Sequence, residues 1–302
     1  MEPCLIVRMP WQKVTVVGVG LLGGSLGLAL KERGLAKQVC GYVRRESSIV
    51  ECEKLGVVGW ATRDLLQAVN DADLVVLCTP LAQMRDLTQA MSPGLKRGAL
   101  VTDVGSVKAS VVQLIEPLVS AAGACFVGSH PMAGAEKMGA AHARSTLFVD
   151  SACVVTPTSQ SKREAVQQVQ DLWNSVGARV MLLSPELHDE FVSRSSHLPH
   201  VVAAELANYV LSPAYAREQA LLCATGFRDT TRIASGSPEM WRDIAMANRK
   251  NLARVLGVFI EDLQEFQLAL ERGDTKVIQE FFATAKHRRD EWRAQNASHS
   301  PE

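Results

Sequence analysis

Short apolar runs alternate with longer amphipathic stretches between residues 13 and 184. Residues 73–79 contain five successive apolar side chains, which is typical of a strand buried on both faces of a parallel sheet. Similar runs, most of them followed by helical spacing, lie at residues 13–17, 38–43, 56–61, 98–103 and 124–127. This alternation predicts a doubly wound, mostly parallel α/β sheet. Two further runs, at residues 151–156 and 178–183, are expected to extend the same sheet.

After residue 185 the strand pattern ends and helical spacing remains. We predict helices at 187–211, with a kink at Pro199, at 214–225, at 238–272 and at 274–294, and a polar loop or helix start at 226–237. In the longest of these, apolar residues recur every three or four positions, at Leu252, Val255, Leu256, Phe259, Leu263 and Phe266. Such a stripe indicates packing within the chain or a dimer interface.

Composition and charge argue against several kinds of partner. Lysine plus arginine equals aspartate plus glutamate at 32 residues each, so the net charge favours neither nucleic acid nor an anionic membrane. The seven cysteines are scattered without a CxxC pair, which is typical of buried thiols in a reducing compartment. No signal peptide and no apolar run of about 18 residues is evident. The sequence therefore predicts a soluble cytoplasmic protein.

A glycine-rich turn, GVGLLG, directly follows the first predicted strand and leads into a helix. Its first glycine permits a tight turn, its second lets a pyrophosphate approach the backbone, and its third lets the helix pack against the strand. The N–H groups at the start of the helix then face the phosphates. Strand, GxGxxG and helix in this order predict a Rossmann-type dinucleotide site, and a glycine turn without a ligand is the alternative. The expected cofactor contacts are Gly18, Gly20, Leu21, Leu22 and Gly23.

The end of the second predicted strand indicates which dinucleotide binds. NAD-binding folds usually have an acidic residue there, which binds the ribose hydroxyls. In this chain Val43 occupies that position and is followed by Arg44, Arg45 and then Ser47. Guanidinium groups bind a phosphate through charge-assisted, bidentate hydrogen bonds, so we predict NADP rather than NAD. The alternative is a solvated arginine pair, with Glu46 in the acid's role.

Polar groups cluster at the predicted carboxyl ends of the strands, where the active sites of such sheets lie. Thr79 and Pro80 follow one of these strands and are expected to contact the cofactor. Ser106 follows the next strand as a candidate catalytic hydroxyl or, alternatively, as the N-cap of a helix. His130 comes directly after a further apolar run, on what we predict to be a glycine-punctuated loop that also carries Glu136.

Two polar motifs lie in the helical part. SHLPH, ending at His200, holds two histidines three positions apart, but no carboxylate stands at ligand spacing, so a metal site is not expected. Residues 226–232 hold Arg228 and Arg232 with three short hydrogen-bonding side chains. Such arginines can form a clamp for a carboxylate. An exposed, salt-bridged loop is the alternative.

Six motifs together resemble those of the prephenate and arogenate dehydrogenases of tyrosine biosynthesis. They are GVGLLGGSL (18–26), CTP (78–80), TDVGSVK (102–108), GSHPMAG (128–134), SHLPH (196–200) and GFRDTTR (226–232). The resemblance implies a nucleotide-binding domain followed by an all-helical domain through which two copies dimerise. We therefore expect an N-terminal extension (1–12), an NAD(P)-binding Rossmann domain (13–184), an all-α substrate and dimerisation domain (185–294) and a frayed tail (295–302).

The resemblance also implies a reaction. In this family a cyclohexadienol is oxidised: hydride leaves the ring carbon that bears the hydroxyl, carbon dioxide is lost and the ring becomes aromatic. His130 matches the catalytic histidine and would accept the hydroxyl proton, while Ser106 would bond the same hydroxyl or orient the imidazole. Arg232, with Arg228, would bind a substrate carboxylate. The other expected roles are His200 lining the substrate pocket, His197 in the structure, and Glu136 at the pocket mouth, gating access or facing the amino group of arogenate.

The expected activity is the NADP-dependent conversion of prephenate to 4-hydroxyphenylpyruvate. Arogenate, which would give tyrosine, is the alternative substrate; His200 favours prephenate because some arogenate-specific members lack that histidine. Neither a chorismate mutase segment nor a regulatory domain is expected, so feedback by tyrosine has no support in the sequence. Another β-hydroxyacid-type dehydrogenase would lack a reason for GSHPMAG and FRDTTR together. A non-catalytic NADP-binding sensor is the alternative from a different class, and His130 with the arginine pair argues against it.

Overall fold

The computed structural model describes residues 11–134, 138–215 and 217–297. Its first part contains a parallel six-stranded sheet with the strand order β3-β2-β1-β4-β5-β6. The strands are β1 (Trp11–Val17), β2 (Ala36–Tyr42), β3 (Trp60–Thr62), β4 (Leu74–Leu77), β5 (Leu100–Asp103) and β6 (Cys125–Phe126). The helices between them are α1 (Leu21–Glu32), α2 (Glu46–Lys54), α3 (Leu65–Val69), α4 (Leu81–Met91) and α5 (Ala109–Ala121). The predicted doubly wound fold is confirmed, although β1 begins at Trp11 and not at residue 13.

Apolar side chains of the sheet alternate between two cores. Leu74 and Val76 of β4 pack into one core, while Val75 and Leu77 pack into the other. All four are fully buried, as a central parallel strand requires. The ends of β1, β4 and β5 are level, because Val17 pairs with Leu77 and Leu77 with Asp103. The turns after these three strands therefore lie side by side at one edge of the sheet.

A separate three-stranded sheet contains β7 (Gly128–Pro131), β8 (Ala152–Thr156) and β9 (Arg179–Leu182), with α6 (Arg163–Ser175) between β8 and β9. Strand β8 runs antiparallel to β7 and parallel to β9. The prediction that residues 151–156 and 178–183 extend the main sheet is therefore wrong.

The main sheet ends because side-chain contacts replace the backbone ladder after β6. Val127 still donates its N–H to the carbonyl of Val101 at 3.0 Å, but the N–H of Ser129 bonds the Asp103 carboxylate at 3.1 Å. The Ser129 hydroxyl donates to the Asp103 carbonyl at 2.6 Å and accepts the indole N–H of Trp173 at 2.9 Å. These contacts join residues far apart in sequence, so the spacing of apolar residues carries no sign of them.

The rest of the described chain is helical. Helix α7 (Pro185–Val192) is followed by a π-helical segment (Ser193–His197) and α8 (Leu198–Val210). After these come α9 (Thr225–Thr231), α10 (Pro238–Ala247), α11 (Arg249–Arg272) and α12 (Thr275–Ala297), with 3₁₀ turns at Arg217–Leu222 and Arg232–Ser235. The π-helical segment lies just before Pro199, where we expected a kink. Proline lacks the amide hydrogen that a continuous α-helix needs at that position.

Two helix predictions are wrong, one in the type of helix and one in its length. The described residues between 214 and 224 contain a 3₁₀ turn in place of an α-helix. The stretch at 238–272 is two helices, because Asn248 leaves helical geometry with φ −109° and ψ 24°. Its side chain is buried, so the break turns an amide group into the interior.

Helices α11 and α12 expose much of their apolar surface. Leu252 and Val255 are buried, whereas Val258 and Phe282 are 54% and 60% exposed. Phe266 of α11 packs against Phe282 of α12 with ring centroids 5.8 Å apart, so the two helices form a pair with an open apolar side. Among the described helices, none is both long enough and apolar enough to cross a membrane.

Candidate active site

Strand β1 ends in the glycine-rich turn that precedes helix α1. Gly18 has φ +99°, and a Cβ there would lie 2.7 Å from the carbonyl oxygen of Cys78, so a side chain is excluded. A Cβ on Gly23 would lie 2.1 Å from the oxygen of Gly18, so the close packing of α1 also needs glycine. Gly20, the N-cap residue of α1, has nothing within 4 Å of its Cβ position. The turn is therefore tightly packed behind and open at Gly20.

The open space at Gly20 fits a pyrophosphate. Because the N-cap residue is a glycine, no side chain caps the first turn of α1. The N–H groups of Leu21 and Leu22, at the positive end of the helix dipole, are therefore available to an anion. The methyl group of Thr79 packs beside Gly18, and the buried Thr79 hydroxyl has no hydrogen-bond partner among the described residues. Pro80 follows as the N-cap residue of α4. The residues predicted to contact the phosphates thus lie around one opening.

The end of β2 lies beside the same turn. Val43, at the position where NAD-binding folds usually have an acid, is buried, while Arg44 and Arg45 are exposed directly after it. Arg45 is the N-cap residue of α2, and Ser47 is in the first turn of that helix. Two guanidinium groups and a hydroxyl therefore follow the strand end at which a dinucleotide fold binds the adenosine ribose.

His130 lies within strand β7, and the prediction that it lies on a loop is wrong. Its backbone pairs with that of Val154 in β8, and its side chain is 8% exposed. Neighbouring residues in a strand point to opposite faces, so the Ser129 side chain points towards Asp103 while that of His130 points towards helix α7. The apolar run before His130 contains the two-residue strand β6, and only Val127 separates it from the second strand, β7, which holds the histidine.

A buried chain of hydrogen bonds leads from His130 into the helical part. Nδ1 of His130 lies 2.9 Å from Nε2 of His188, and Nδ1 of His188 lies 2.8 Å from Oδ1 of Asp189. His188 is fully buried and Asp189 is 3% exposed. Within the described chain nothing bonds Nε2 of His130, so this nitrogen is the one available to a ligand.

Asp189 also holds the turn that carries Ser106. Its two carboxylate oxygens accept the backbone N–H groups of Lys108 at 2.7 Å and Ala109 at 2.9 Å. Asp189 therefore caps α5 from 80 positions away in sequence. Ser106 is not the N-cap, which is Lys108. The half-buried Ser106 hydroxyl makes no hydrogen bond to any residue that the structure describes, so it too is available to a ligand.

Lys108 is fully buried beneath the same turn. Its ammonium group donates to an Asp103 carboxylate oxygen and to the carbonyl of Ser129, the latter at 2.8 Å. The Asp103 carboxylate also accepts the N–H of Gly105 at 2.8 Å. Burial lowers the pKa of Lys108, and the Asp103 charge opposes that shift. The ion pair joins β5, β7 and the Ser106 turn into one buried polar cluster.

The two histidines of SHLPH have different surroundings. His197 is buried, and its Nδ1 lies 3.2 Å from the side-chain amide of Asn248. The same amide donates to the backbone carbonyl of Asp189 at 2.8 Å, so Asn248 joins the two segments. His200 is half-buried and stacks on Trp241, with ring centroids 3.7 Å apart and planes at 29°. His197 is therefore part of the interior, while His200 keeps an open side.

Burial favours the neutral form of all four histidines in this region. It lowers the pKa of His130 well below the usual 6.5, and the neighbouring His188 shifts that pKa in the same direction. Burial likewise lowers the pKa of His188, although its hydrogen bond to Asp189 opposes that shift, and lowers the pKa of His197 to about 4. The pKa of His200 is lowered for the same reason. At neutral pH His130 is thus an uncharged base.

The arginines of GFRDTTR lie in α9 and in the 3₁₀ turn after it. Arg228 and Arg232 are exposed, and both segments pack against α8, the helix that carries His200. Glu136, predicted at the pocket mouth, lies outside the described residues. No group of three or more potential metal-ligating side chains occurs in the part of the chain that is described.

Sequence reasoning missed four residues of this region: His188, Asp189, Asn248 and Trp241. His188 and Asp189 lie on the buried face of α7, together with Pro185 and Val192. An imidazole and a carboxylate on a face where helical spacing favours apolar residues is a signal that could have identified them. For the stack of Trp241 on His200, the sequence contains no comparable signal.

Two family models match consecutive parts of the chain. The nucleotide-binding domain of prephenate dehydrogenase matches residues 26–182, and the dimerization domain of prephenate dehydrogenase matches residues 184–284. A prephenate dehydrogenase of Bacillus subtilis (strain 168) is 34% identical over 283 residues, which cover 92% of this chain and 75% of that protein. Sequence similarity therefore extends through both the sheet and the helices.

Solved structures give the same result. The prephenate dehydrogenase of A. aeolicus, in complex with hydroxyphenyl propionate and NAD+, superposes with a TM-score of 0.86 at 32% identity and covers 93% of this chain and 98% of that one. The Synechocystis arogenate dehydrogenase superposes with a TM-score of 0.79 at 29% identity, covering 93% of this chain and 100% of that one.

Proposed function

Because the chain belongs to the prephenate dehydrogenase family, whose members are NAD(P)-dependent oxidoreductases, we propose that it converts prephenate to 4-hydroxyphenylpyruvate with NADP as cofactor. The observation that carries this proposal is the state of His130. It is a buried, neutral imidazole with one ring nitrogen free, in strand β7, which Lys108 of the Ser106 turn contacts through the Ser129 carbonyl. A fixed base of this kind is what oxidation of a ring hydroxyl requires.

The reaction moves one hydride and returns one proton. A nicotinamide bound at the glycine turn would supply the acceptor for the hydride that leaves the ring carbon bearing the hydroxyl. His130 Nε2 takes the hydroxyl proton as the hydride departs, so the carbon–oxygen bond becomes a carbonyl. The bond to the ring carboxylate then breaks, carbon dioxide leaves, and the electron pair makes the ring aromatic. His130 returns its proton to the phenolate oxygen. Acid–base help of this kind is worth about 10²–10⁴-fold.

Ser106 and the helical part complete the proposed site. The available Ser106 hydroxyl donates to or accepts from the reacting hydroxyl, on a turn that Asp189 holds in place. His200, flat against Trp241, lines the pocket. Arg228 and Arg232 bind a substrate carboxylate through charge-assisted hydrogen bonds. Together these contacts would hold the ring within the roughly 3–3.5 Å of the nicotinamide that hydride transfer needs.

Side-by-side kinetics with prephenate and arogenate tests this function. We expect a higher kcat/KM for prephenate. The similarity to the Synechocystis arogenate dehydrogenase makes arogenate the second candidate, and a higher kcat/KM for arogenate would establish it. Purified protein that binds NADP but reduces none with either substrate would favour the third candidate, a non-catalytic sensor.

The preference for NADP rests on the two exposed arginines after β2. Glu46, the alternative ribose ligand, is paired with Arg63 at 3.4 Å, which supports this assignment. The double variant Arg44→Ala/Arg45→Ala is expected to lower kcat/KM for NADP by about 10²–10⁴-fold, because it removes two charge-assisted bonds to the 2′-phosphate, each worth about 1.5–3 kcal/mol. The value for NAD should hardly change. Arg163→Ala, an exposed arginine on α6, is the matched control.

A wild-type protein with a clear preference for NAD would contradict the NADP assignment. The A. aeolicus structure contains NAD+, so NAD is the alternative cofactor. Ratios of kcat/KM, supplemented by Kd values for both oxidised dinucleotides, would decide between them.

Arg232→Ala is expected to raise KM for the substrate by about 10–100-fold, because it removes a charge-assisted hydrogen bond to a carboxylate. A smaller change in kcat is expected, since this contact exists in both ground and transition states. Arg242→Ala is the control, because Arg242 pairs with Asp243 on the neighbouring α10. An unaltered KM in Arg232→Ala would remove this arginine from the clamp.

We further propose a homodimer that forms through the helices. The dimerization-domain model matches residues 184–284, and the apolar sides of α11 and α12 are open in the single chain. A second copy of the same surface would cover them, as in other symmetric dimers. Light scattering at micromolar concentration should give the mass of two chains, and a monomer there would contradict this proposal.

A further inference from the structure

Helix α7 contributes two buried side chains, His188 and Asp189, that have no role in the reaction described above. His188 contacts the proposed base, and Asp189 contacts His188. Both residues belong to the helical part of the chain, whereas His130 belongs to β7, and 58 positions separate the two imidazoles. Burying an imidazole and a carboxylate is costly unless both are hydrogen-bonded, and here they bond each other, the base His130 and the backbone N–H groups that follow Ser106.

The hydrogen bonds fix the proton positions in order. Asp189 is an acceptor, because its two oxygens already take the N–H groups of Lys108 and Ala109. Nδ1 of His188 must therefore donate to Asp189. A neutral His188 then has only a lone pair at Nε2, so Nδ1 of His130 must donate to it. The proton of neutral His130 is thus on Nδ1, and its lone pair is on Nε2.

We propose that Asp189, acting through His188, is the positioning residue that fixes His130 in the tautomer able to accept the substrate's proton. This inference rests on the proposed role of His130 as the base. The opposite tautomer, with the proton on Nε2, would present a donor to the substrate hydroxyl and could not take its proton. His188 and Asp189 also stabilise the positive charge that His130 carries once it has accepted the proton. The protonated ring keeps its hydrogen bond to His188, and the Asp189 carboxylate lies beyond His188.

The same carboxylate positions both groups that act on the hydroxyl. Through His188 it orients His130, and through Lys108 N–H and Ala109 N–H it holds the turn of Ser106. The position of Asp189 is in turn held by the Asn248 amide, which bonds its backbone carbonyl. A single side chain from the helical part therefore sets the relation between base and hydroxyl.

Asp189→Asn is the decisive variant, because an amide of the same shape puts a donor where Asp189 has only acceptors. If the amide nitrogen faces His188, the tautomers of His188 and His130 are reversed. We expect kcat to fall by about 10²–10⁴-fold with little change in KM or in the Kd of the dinucleotide. Asp73→Asn is the matched control: Asp73 accepts two backbone N–H groups, those of Gln12 at 2.8 Å and Lys13 at 3.2 Å, away from this region.

The tautomer itself can be observed without turnover. In protein labelled with ¹⁵N-histidine, long-range nitrogen–proton correlations should give a protonated Nδ1 and an unprotonated Nε2 for His130, reversed in Asp189→Asn. A His130 protonated at Nε2 in the wild type would overturn the proposal. So would a variant that loses kcat while its His130 keeps the wild-type tautomer, because Asp189 would then act only as the cap of α5. A wild type that turns over neither substrate would instead count against the proposed function.

Two variants of His188 give a second test should Asp189→Asn fail to fold. Glutamine can accept from His130 through its oxygen and donate to Asp189 through its amide, so His188→Gln should keep the tautomer and much of kcat. Leucine can do neither, so His188→Leu should lose about as much kcat as Asp189→Asn. Equal kcat values for His188→Gln and His188→Leu would refute the proposal that Asp189 acts on His130 through His188.

Discussion

Replacing His130 with asparagine is expected to lower kcat by about 10²–10⁴-fold, the usual contribution of a general base. Asparagine is smaller, uncharged and able to donate to Nε2 of His188, so the buried contact in helix α7 can persist. What it lacks is a basic nitrogen at the position of Nε2. The Kd of the dinucleotide should stay near the wild-type value, because the phosphates are expected at the turn of residues 18–23. Stopped-flow measurement of hydride transfer, with dinucleotide titrations, would separate the two effects.

The control for this variant is a histidine without an assigned role. His287→Asn is suitable, since the side chain is 73% exposed on α12 and pairs there with Glu291. It should leave kcat and Kd as in the wild type. If His130→Asn retained the kcat of the wild type, the imidazole would not be the base and the reaction would need another proton acceptor.

Replacing Lys108 with methionine is expected to lower the free energy of unfolding by about 3–5 kcal/mol, because a buried carboxylate then loses its cation. Methionine matches the length of the lysine stem, so the loss comes from charge and hydrogen bonding and not from a cavity. The ammonium group bonds both Asp103 and the Ser129 carbonyl, and neither partner has access to water in the folded protein. Urea denaturation followed by circular dichroism would measure the change.

Two further variants show whether the uncompensated charge is the cause. Lys108→Met/Asp103→Asn removes both charges and keeps a carboxamide oxygen for a backbone N–H, so part of the loss should be recovered. Lys96→Met breaks the partly exposed pair with Asp73 and should have a far smaller effect, because water screens that pair. Equal losses from Lys108→Met and Lys96→Met would show that burial of the ion pair is not what stabilises the protein.

Local signals explain why the architecture could be predicted. The apolar run in β4 and the glycine turn after β1 depend on neighbours within a few positions, and both have the structure that the sequence indicates. The glycine turn could even be assigned residue by residue, because Gly18 and Gly23 are needed for geometric reasons that any such turn shares. The tight geometry of this turn could therefore be predicted from the sequence.

Long-range contacts explain the failures. Strand β7 leaves the main sheet because Asp103 and Trp173 bond Ser129, and neither contact affects the spacing of apolar residues. Ser106 was a plausible N-cap by position, but the cap comes from Asp189. The long predicted helix breaks at Asn248 because its amide bonds the carbonyl of Asp189. These three errors arose where a polar side chain distant in sequence replaced a local backbone interaction.

Synthesis of the chain delivers the parts of this site in a fixed order. The glycine turn, the end of β4, Ser106 and His130 all leave the ribosome before helix α7, and domains tend to fold from the N-terminus as they emerge. Asp189 arrives later, to cap α5 and to orient the base through His188. Under the proposed function, the nascent chain would therefore present the glycine turn to a dinucleotide before Asp189 reaches the base, and the substrate residues His200, Arg228 and Arg232 would follow last.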